Sequence, residues 1–288
     1  MQRHRPKPPW LRRRLATAGS SHMVHASLAA GGLFTVCQEA QCPNQGECYG
    51  RGEATLLLLG PACTRRCTFC AVTKVKPSPP DPDEPANAAR AAAELGLNYV
   101  VLTMVTRDDL PDGGAGQVAA TIEALHQALP GVGVEALISD LGGSAQDLQT
   151  VLAAGPRVLN HNLETVPRLY HELRPQARYP RSLELLGRAA EAGALTKSGL
   201  MLGLGETRDE LLAVFDDLLA TGCRMLTLGQ YLAPSREHHP VVRYVPPEEF
   251  DSLRQAALAR GFVAVASGPY VRSSYQAGKL WRQAAEAL

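Results

Sequence analysis

The stretch Thr55-Leu56-Leu57-Leu58-Leu59-Gly60-Pro61-Ala62-Cys63-Thr64-Arg65-Arg66-Cys67-Thr68-Phe69-Cys70 decides the reading of this chain. It opens on a short apolar run with the length of a buried strand and meets a Gly-Pro breaker. Three cysteines at C-x3-C-x2-C spacing follow. A loop this tight can turn three thiolates toward one point. Structural zinc sites usually take four protein ligands, commonly as two separated pairs. Three clustered thiolates instead suit a [4Fe–4S] cube with three irons held by protein and the fourth open to a substrate or cofactor. Phe69, just before the last cysteine, is placed to shield such a cluster from water.

Immediately upstream lies a second triplet, Cys37, Cys42 and Cys48, spaced C-x4-C-x5-C. Six of the seven cysteines thus fall within residues 37–70, and only Cys223 stands apart. The basic N-terminus is followed by no apolar segment of the secretory kind, so the cysteines read as reduced and metal-binding rather than disulfide-bonded. Taken alone, the upstream triplet also fits a lone structural zinc or an inert loop. Two adjacent sets imply two clusters, each short of one cysteine. The second would complete itself with water, Ser, His or substrate. Cys223 enters an apolar run (Met225, Leu226, Leu228) and reads as a small core residue.

Working outward, the chain alternates. Short β-prone runs fall at about 54–59, 99–103, 132–138, 157–160, 197–203 and 224–231. Helical patterns fall at about 85–96, 115–129, 144–154, 181–193, 207–221 and 247–260. Six βα units call for a parallel sheet, either an open doubly wound one or a partial barrel. Polar clusters follow the strands at Thr103 to Asp109, Asn160 to Thr165 and Gly229 to Tyr231, where such folds build their sites. Residues 1–50 read as irregular. The expected division is 1–53, an extension with the upstream cysteines; 54–262, the βα body; and 263–288, a C-terminal extension.

At 288 residues and 45% hydrophobic, the chain can bury a sizeable core. Its apolar runs are too short to span a bilayer. Six of the 29 Lys and Arg residues lie in residues 1–38 (Arg3, Arg5, Lys7, Arg12, Arg13, Arg14), leaving 23 against 28 Asp and Glu. That balance argues against a nucleic-acid-binding body. The basic arm is a solvated charge run or a dock for an acidic carrier domain.

The C-x3-C-x2-C spacing, Phe69 and the preceding strand resemble the radical S-adenosylmethionine superfamily. Nearly the whole chain resembles one family within it, the lipoyl synthases. The resemblance is carried by Lys7-Pro8-Pro9-Trp10-Leu11, by Thr35-Val36-Cys37-Gln38-Glu39-Ala40-Gln41-Cys42-Pro43-Asn44 and by the loop from Leu59 to Cys67. Arg107-Asp108-Asp109-Leu110-Pro111-Asp112-Gly113-Gly114, Asn160-His161-Asn162-Leu163-Glu164-Thr165 and Lys197-Ser198-Gly199-Leu200-Met201 continue it. Gly203-Leu204-Gly205-Glu206-Thr207, Leu226-Thr227-Leu228-Gly229-Gln230-Tyr231 and Arg272-Ser273-Ser274-Tyr275 complete it.

The resemblance implies a partial (β/α)6 barrel with N- and C-terminal extensions carrying an auxiliary cluster. It implies two [4Fe–4S] clusters, one on Cys63, Cys67 and Cys70, the other on Cys37, Cys42, Cys48 and Ser274, with Ser273 as the fallback ligand. By spacing alone the serine pair reads first as a cap for a terminal helix starting near Tyr275, and the resemblance reverses that order. The implied reaction inserts two sulfur atoms, at C6 and C8, into an octanoyl chain on a carrier-protein lysine. Acid–base groups cannot break such unactivated C–H bonds, so a radical derived from S-adenosylmethionine (two per lipoyl group) takes the hydrogens. The auxiliary cluster is consumed as sulfur donor.

Candidates for holding the cofactor are Phe69, Thr103, Arg107, Asp108, Asn162, Glu164, Lys197, Ser198 and Gln230. Asp108 and Glu164 serve equally well as helix caps, and His161 and His238 read mainly as packed or solvent-facing residues. Expected partners are octanoylated carriers (glycine cleavage H protein and the lipoyl domains of 2-oxoacid dehydrogenase E2), a ferredoxin- or flavodoxin-type reductant and a cluster-repair protein. The expected setting is a monomer in a bacterial cytoplasm, with an organelle as alternative. Met104, Thr106, Gln117 and Ser139 depart from the family pattern (Ser, Asp, His and Pro are usual) and put specificity in question more than activity. Two other classes stay open: a radical enzyme using its extra cluster for electron transfer, and a non-catalytic iron–sulfur or zinc protein.

Overall fold

The computed structural model describes residues 6–12, 21–51 and 53–288. Arg3, Arg5, Arg13 and Arg14 of the basic arm lie outside the described residues. The chain divides into two compact units, Leu15–Arg65 with Ala71–Leu159, and Met1–Arg14 with Arg66–Cys70 and Asn160–Leu288.

The unit holding the N-terminal half contains α1 (Ser21–Ala30), β1 (Phe34–Thr35), α2 (Val36–Glu39), α3 (Gln45–Gly50), β2 (Thr55–Leu58) and α4 (Glu84–Glu94). It continues through β3 (Tyr99–Met104), α5 (Ala115–Ala128), β4 (Gly133–Leu137), α6 (Ala145–Ala153) and β5 (Val158–Asn160), which ends at the unit's boundary. β1 pairs antiparallel with β2, whereas β2–β3 and β3–β4 are parallel. All four residues of β2 are buried, as a parallel strand covered on both faces requires. Ser144 starts α6 by accepting from the Asp147 N–H. The expectation of an irregular N-terminal segment is corrected: three helices lie in its described part. Two are of four and six residues, too short to show a helical period; Thr35 starts the first by accepting from Gln38 N–H, and the second has no side-chain cap.

The other unit contains α7 (Tyr170–Leu173), α8 (Tyr179–Glu191), β6 (Thr196–Leu202), α9 (Arg208–Ala220), β7 (Met225–Gln230), α10 (Pro247–Arg260), β8 (Ala264–Gly268) and α11 (Ala277–Ala287). β6, β7 and β8 pair in parallel. Thr207 and Glu210 close a reciprocal capping box on α9. Pro247 starts α10, and Gly261 ends it at φ +117°, a conformation glycine adopts without penalty. Leu200, Leu202, Leu226 and Leu228 of the strands pack with Leu211, Val214, Phe215 and Leu218 of α9 and Phe250 and Leu253 of α10. Each such side chain fully buried contributes about 1.5–3 kcal/mol. Phe215 and Phe262 meet edge to face at 6.0 Å. Cys223 sits in this core, and burial pushes its thiol up to about 12.

The strands follow chain order in each unit, β1 to β5 in the first and β6 to β8 in the second. β2 to β7 are each followed by a helix (α4, α5, α6, then α7 and α8 after β5, α9, α10), giving the six expected βα units. β8 was not expected; its small residues carry little strand signal.

Candidate active site

The cysteine loop leaves β2 through Leu59, whose φ is +70°. Its N–H is held by both carboxylate oxygens of buried Glu84, at 3.0 and 3.1 Å. Gln117 steadies Glu84 by donating at 2.9 Å, and donates also to Asp81 O at 2.7 Å. Burial raises the Glu84 carboxyl above the usual range while Gln117 pulls it back. Cys63 N–H donates to Thr73 O at 2.8 Å, and Thr64 N–H donates to Thr106 O at 3.0 Å. Arg65, 6% exposed, makes a two-pronged ion pair with Asp108 (2.8 and 2.9 Å) and reaches Asp140 at 2.5 Å. Its own N–H points at Cys63 Sγ at 3.4 Å.

Arg107 grips Asp109 through two bonds, at 2.8 and 2.9 Å, and reaches back to Leu59 O. Arg107 and Asp108 are therefore engaged in ion pairs that shape the loop. Thr103 is buried near the end of β3.

In the other unit, the remainder of the loop is strapped by backbone. Thr68 N–H donates to Leu173 O at 2.9 Å, and Thr68 O accepts from His239 N–H at 3.0 Å. His238 Nε2 lies 3.1 Å from Cys70 O; a carbonyl only accepts, so this nitrogen carries the proton. His161 is buried against Ser182 Oγ at 2.9 Å. Phe69 packs on the α9–α10 core.

Asn162 Nδ2 donates to Glu164 at 3.1 Å. Burial raises the Glu164 carboxyl, with the Arg174 charge opposing. Arg174 donates to Asn162 O, Leu163 O and Tyr170 Oη, and its field also reaches Cys67. Gln230 spends its amide on backbone: it donates to Leu202 O, Tyr231 O and Arg243 O and accepts from Val245 N–H. Lys197 and Ser198 stand at the start of β6 rather than its end, and Ser198 Oγ accepts from Leu163 N–H.

The upstream triplet occupies short helices. Cys37 is buried in α2, Cys42 follows that helix, and Cys48 lies in α3. Cys42 N–H donates to Cys37 O at 3.0 Å. Burial pushes Cys37 up to about 11; burial and the neighbouring Cys37 push Cys48 up to about 12. Thr35 Oγ1 and Tyr49 Oη, from the same segment, meet at 2.7 Å. All seven cysteines are free thiols, and among the described residues no three His, Cys, Asp or Glu side chains form a ready site for a single metal ion.

The family model for the radical SAM superfamily matches residues 57–218. A lipoyl synthase of Trichlorobacter lovleyi is 56% identical over 274 residues, covering 94% of this chain and 97% of its own. One from Desulfotalea psychrophila is 53% identical over 280 residues, 96% and 94% of the two chains.

The chain belongs to the lipoyl synthase family.

Solved structures show the same fold at low identity. HydG, a maturase of the [FeFe]-hydrogenase, aligns with TM-score 0.61 at 14% identity over 92% of this chain and 67% of its own. Methylornithine synthase aligns with TM-score 0.57 at 13% identity over 85% and 69%. Members of the lipoyl synthase family are radical SAM enzymes, and the superfamily implies a [4Fe–4S] cluster and S-adenosylmethionine. The donor set fits that group: Cys63, Cys67 and Cys70 are reduced soft ligands on one short loop, and a backbone N–H is already aimed at one sulfur.

The family's terminal Arg-Ser-Ser-Tyr forms a turn before α11. Ser273 Oγ accepts from Asn160 Nδ2 at 2.8 Å and donates to Asn162 Oδ1 at 3.0 Å. A Cβ at Gly229 would run into the Val271 carbonyl, so the glycine lets the terminal segment lie against β7. Glu84, Arg65, Asp140 and Glu206, which takes three N–H groups of the Gly203–Gly205 turn, escaped the sequence reading as site-shaping residues. Arg65 was recoverable as a charge inside the cysteine motif; Asp140 and Glu84 carry no local signal.

Proposed function

We propose that this enzyme makes lipoyl groups by inserting two sulfur atoms, at C6 and C8, into an octanoyl chain borne on a carrier-protein lysine. The observation that carries the reading is the pair of reduced cysteine triplets in unlike settings, accompanied by the family's terminal serine turn. The first cluster belongs on Cys63, Cys67 and Cys70, and an auxiliary [4Fe–4S] cluster on Cys37, Cys42, Cys48 and Ser274. When bound, these groups and S-adenosylmethionine would supply one-electron cleavage of the sulfonium, hydrogen abstraction from carbon and the sulfur itself.

The protein's own part is to hold and to exclude. Arg65 and Thr64 fix the loop through Asp108 and Thr106, and Phe69 keeps water from its apolar side. Glu164, Asn162, Thr103, Arg107, Asp108, Lys197, Ser198 and Gln230 are the proposed cofactor shell, the last several acting by fixing backbone. Ser274 suits the auxiliary site better than Ser273, whose hydroxyl is engaged by two asparagines. We further propose the three-part division at residues 53 and 262, octanoylated H protein and E2 lipoyl domains as substrates, a ferredoxin- or flavodoxin-type reductant, a cluster-repair partner and a bacterial cytoplasmic setting. Among the described residues no helix is long and apolar enough to cross a membrane.

The test is an anaerobic single turnover of reconstituted protein with dithionite, S-adenosylmethionine and an octanoyl-lysine peptide, followed by mass. Gain of two sulfur atoms on the octanoyl chain is expected. Formation of 5′-deoxyadenosine without sulfur transfer would contradict the substrate assignment.

A further inference from the structure

Ser273 and Ser274 are adjacent, and the structure treats them oppositely. The Ser273 hydroxyl sits between Asn160 and Asn162, and its carbonyl accepts from Lys197 Nζ at 2.6 Å. The Ser274 side chain has no hydrogen-bond partner among the described residues and is partly exposed, while its carbonyl accepts from Ala277 N–H at 3.3 Å.

Peptide planarity turns this into a lock. The Ser273 carbonyl and the Ser274 nitrogen share one rigid plane. Lys197 holds that plane from one side, and the Ala277 bond holds the plane that follows Ser274. The Ser274 side chain then keeps little freedom beyond its own χ1. Lys197 is fully buried, and burying an ammonium is costly unless its donors are met. Spending one of them on a carbonyl 76 residues away is a strong constraint on where the terminal turn can lie. Asn162 extends the same network to Glu164.

We infer that Lys197 is the positioning residue of the Ser274 hydroxyl: together with Ser273, Asn160 and Asn162 it locks the terminal turn so that this hydroxyl is presented as a ligand. The inference rests on the reading of Ser274 as the auxiliary-cluster ligand, and the experiment separates the two.

The full chain carrying Cys63→Ala, Cys67→Ala and Cys70→Ala is reconstituted, so that one cluster remains and S-adenosylmethionine binding plays no part. Iron release to excess ferrous chelator and the low-temperature electron paramagnetic resonance signal of the reduced cluster are measured for this parent. Ser274→Ala, Lys197→Met, Ser273→Ala and the Lys197→Met/Ser274→Ala pair are then added. Ser274→Ala is expected to release iron at least about tenfold faster, the lower end of the effect of changing a residue that supports a metal site. Lys197→Met should approach that rate with the same altered signal, and the pair should be no faster than Ser274→Ala, since the two act through one ligand. If Lys197→Met does not fold, Ser273→Ala carries the test, because it removes both asparagine bonds while leaving the buried lysine in place. Ser274→Ala fast with Lys197→Met and Ser273→Ala at the parent rate overturns the lock and leaves the ligand reading standing. Ser274→Ala at the parent rate overturns the ligand reading and the lock with it.

Discussion

Cys63 sits on a loop tied down through its own N–H, through Thr64 and through Arg65 buried against two aspartates. Cys37 sits in a four-residue helix, buried, with its thiol pushed up to about 11 by desolvation. The first setting is partly exposed and anchored by a buried arginine. The second relies on short helices, on hydroxyl contacts such as Thr35 to Tyr49, and on the more exposed Arg51, which pairs with Glu47 and Glu53 beside Cys48. A scaffold of the first kind suits a cluster that must survive each cycle, and one of the second kind suits a cluster that gives up its atoms. On the proposed function, this contrast within one chain is the feature expected of an enzyme whose second cluster supplies sulfur.

The largest effect expected comes from erasing the first setting. Changing Cys63, Cys67 and Cys70 to Ala should abolish 5′-deoxyadenosine formation and halve the iron content; residual cleavage of S-adenosylmethionine would break the comparison outright. Ser274→Ala should act on the other side only, leaving that cleavage while lowering sulfur insertion, read by product mass in the same assay. Equal loss of both activities would show that the two settings are not separable.

Arg65→Met should destabilise the protein by about 3 kcal/mol, the cost of leaving Asp140 buried without its cation. Thermal unfolding of the reconstituted protein measures it, and an unchanged midpoint would remove the charge anchor from the account. Gln117→Ala should cost less, about 1 kcal/mol, because Glu84 loses one donor yet keeps the Leu59 N–H.

The smallest effect expected is on pH. Arg168 and Thr207 hold the Glu210 carboxyl down to about 2. A depressed carboxyl stabilises the fold above its unfolded range and loses that contribution as pH falls through the folded value. Wild type should therefore lose a small advantage over Glu210→Gln between about pH 5 and pH 2; the exposed pair keeps the effect slight. A gap between the two that is constant over this range would contradict it.

The fold was legible where periodicity is long. The apolar run of β2 and the alternation of β-prone runs with long helical patterns place six βα units without tertiary information. The short helices around Cys37 and Cys48 were not legible, because four or six residues cannot show a period. At the site, the cysteines, Phe69 and the strand-end polar residues stand out as types in a pattern. What those residues touch does not. Arg107 and Asp108 turn out to be ion-paired within the loop region, and Lys197 to meet Ser273, a contact spanning 76 residues that no local signal announces. Glu84 is hidden likewise, since a carboxylate at a helix start reads as a solvated end and not as the clamp on Leu59.

The most direct test of the central claim is the state of both clusters after one turnover. Wild-type protein is allowed one round with an octanoyl-lysine peptide, and iron release and the resonance signals of the two clusters are followed alongside product mass. The account predicts that sulfur appears on the peptide as one cluster's iron is released, while the Cys63–Cys67–Cys70 cluster keeps its signal and its response to S-adenosylmethionine. Sulfur transfer with both clusters intact, or with the Cys63–Cys67–Cys70 cluster lost instead, would contradict it.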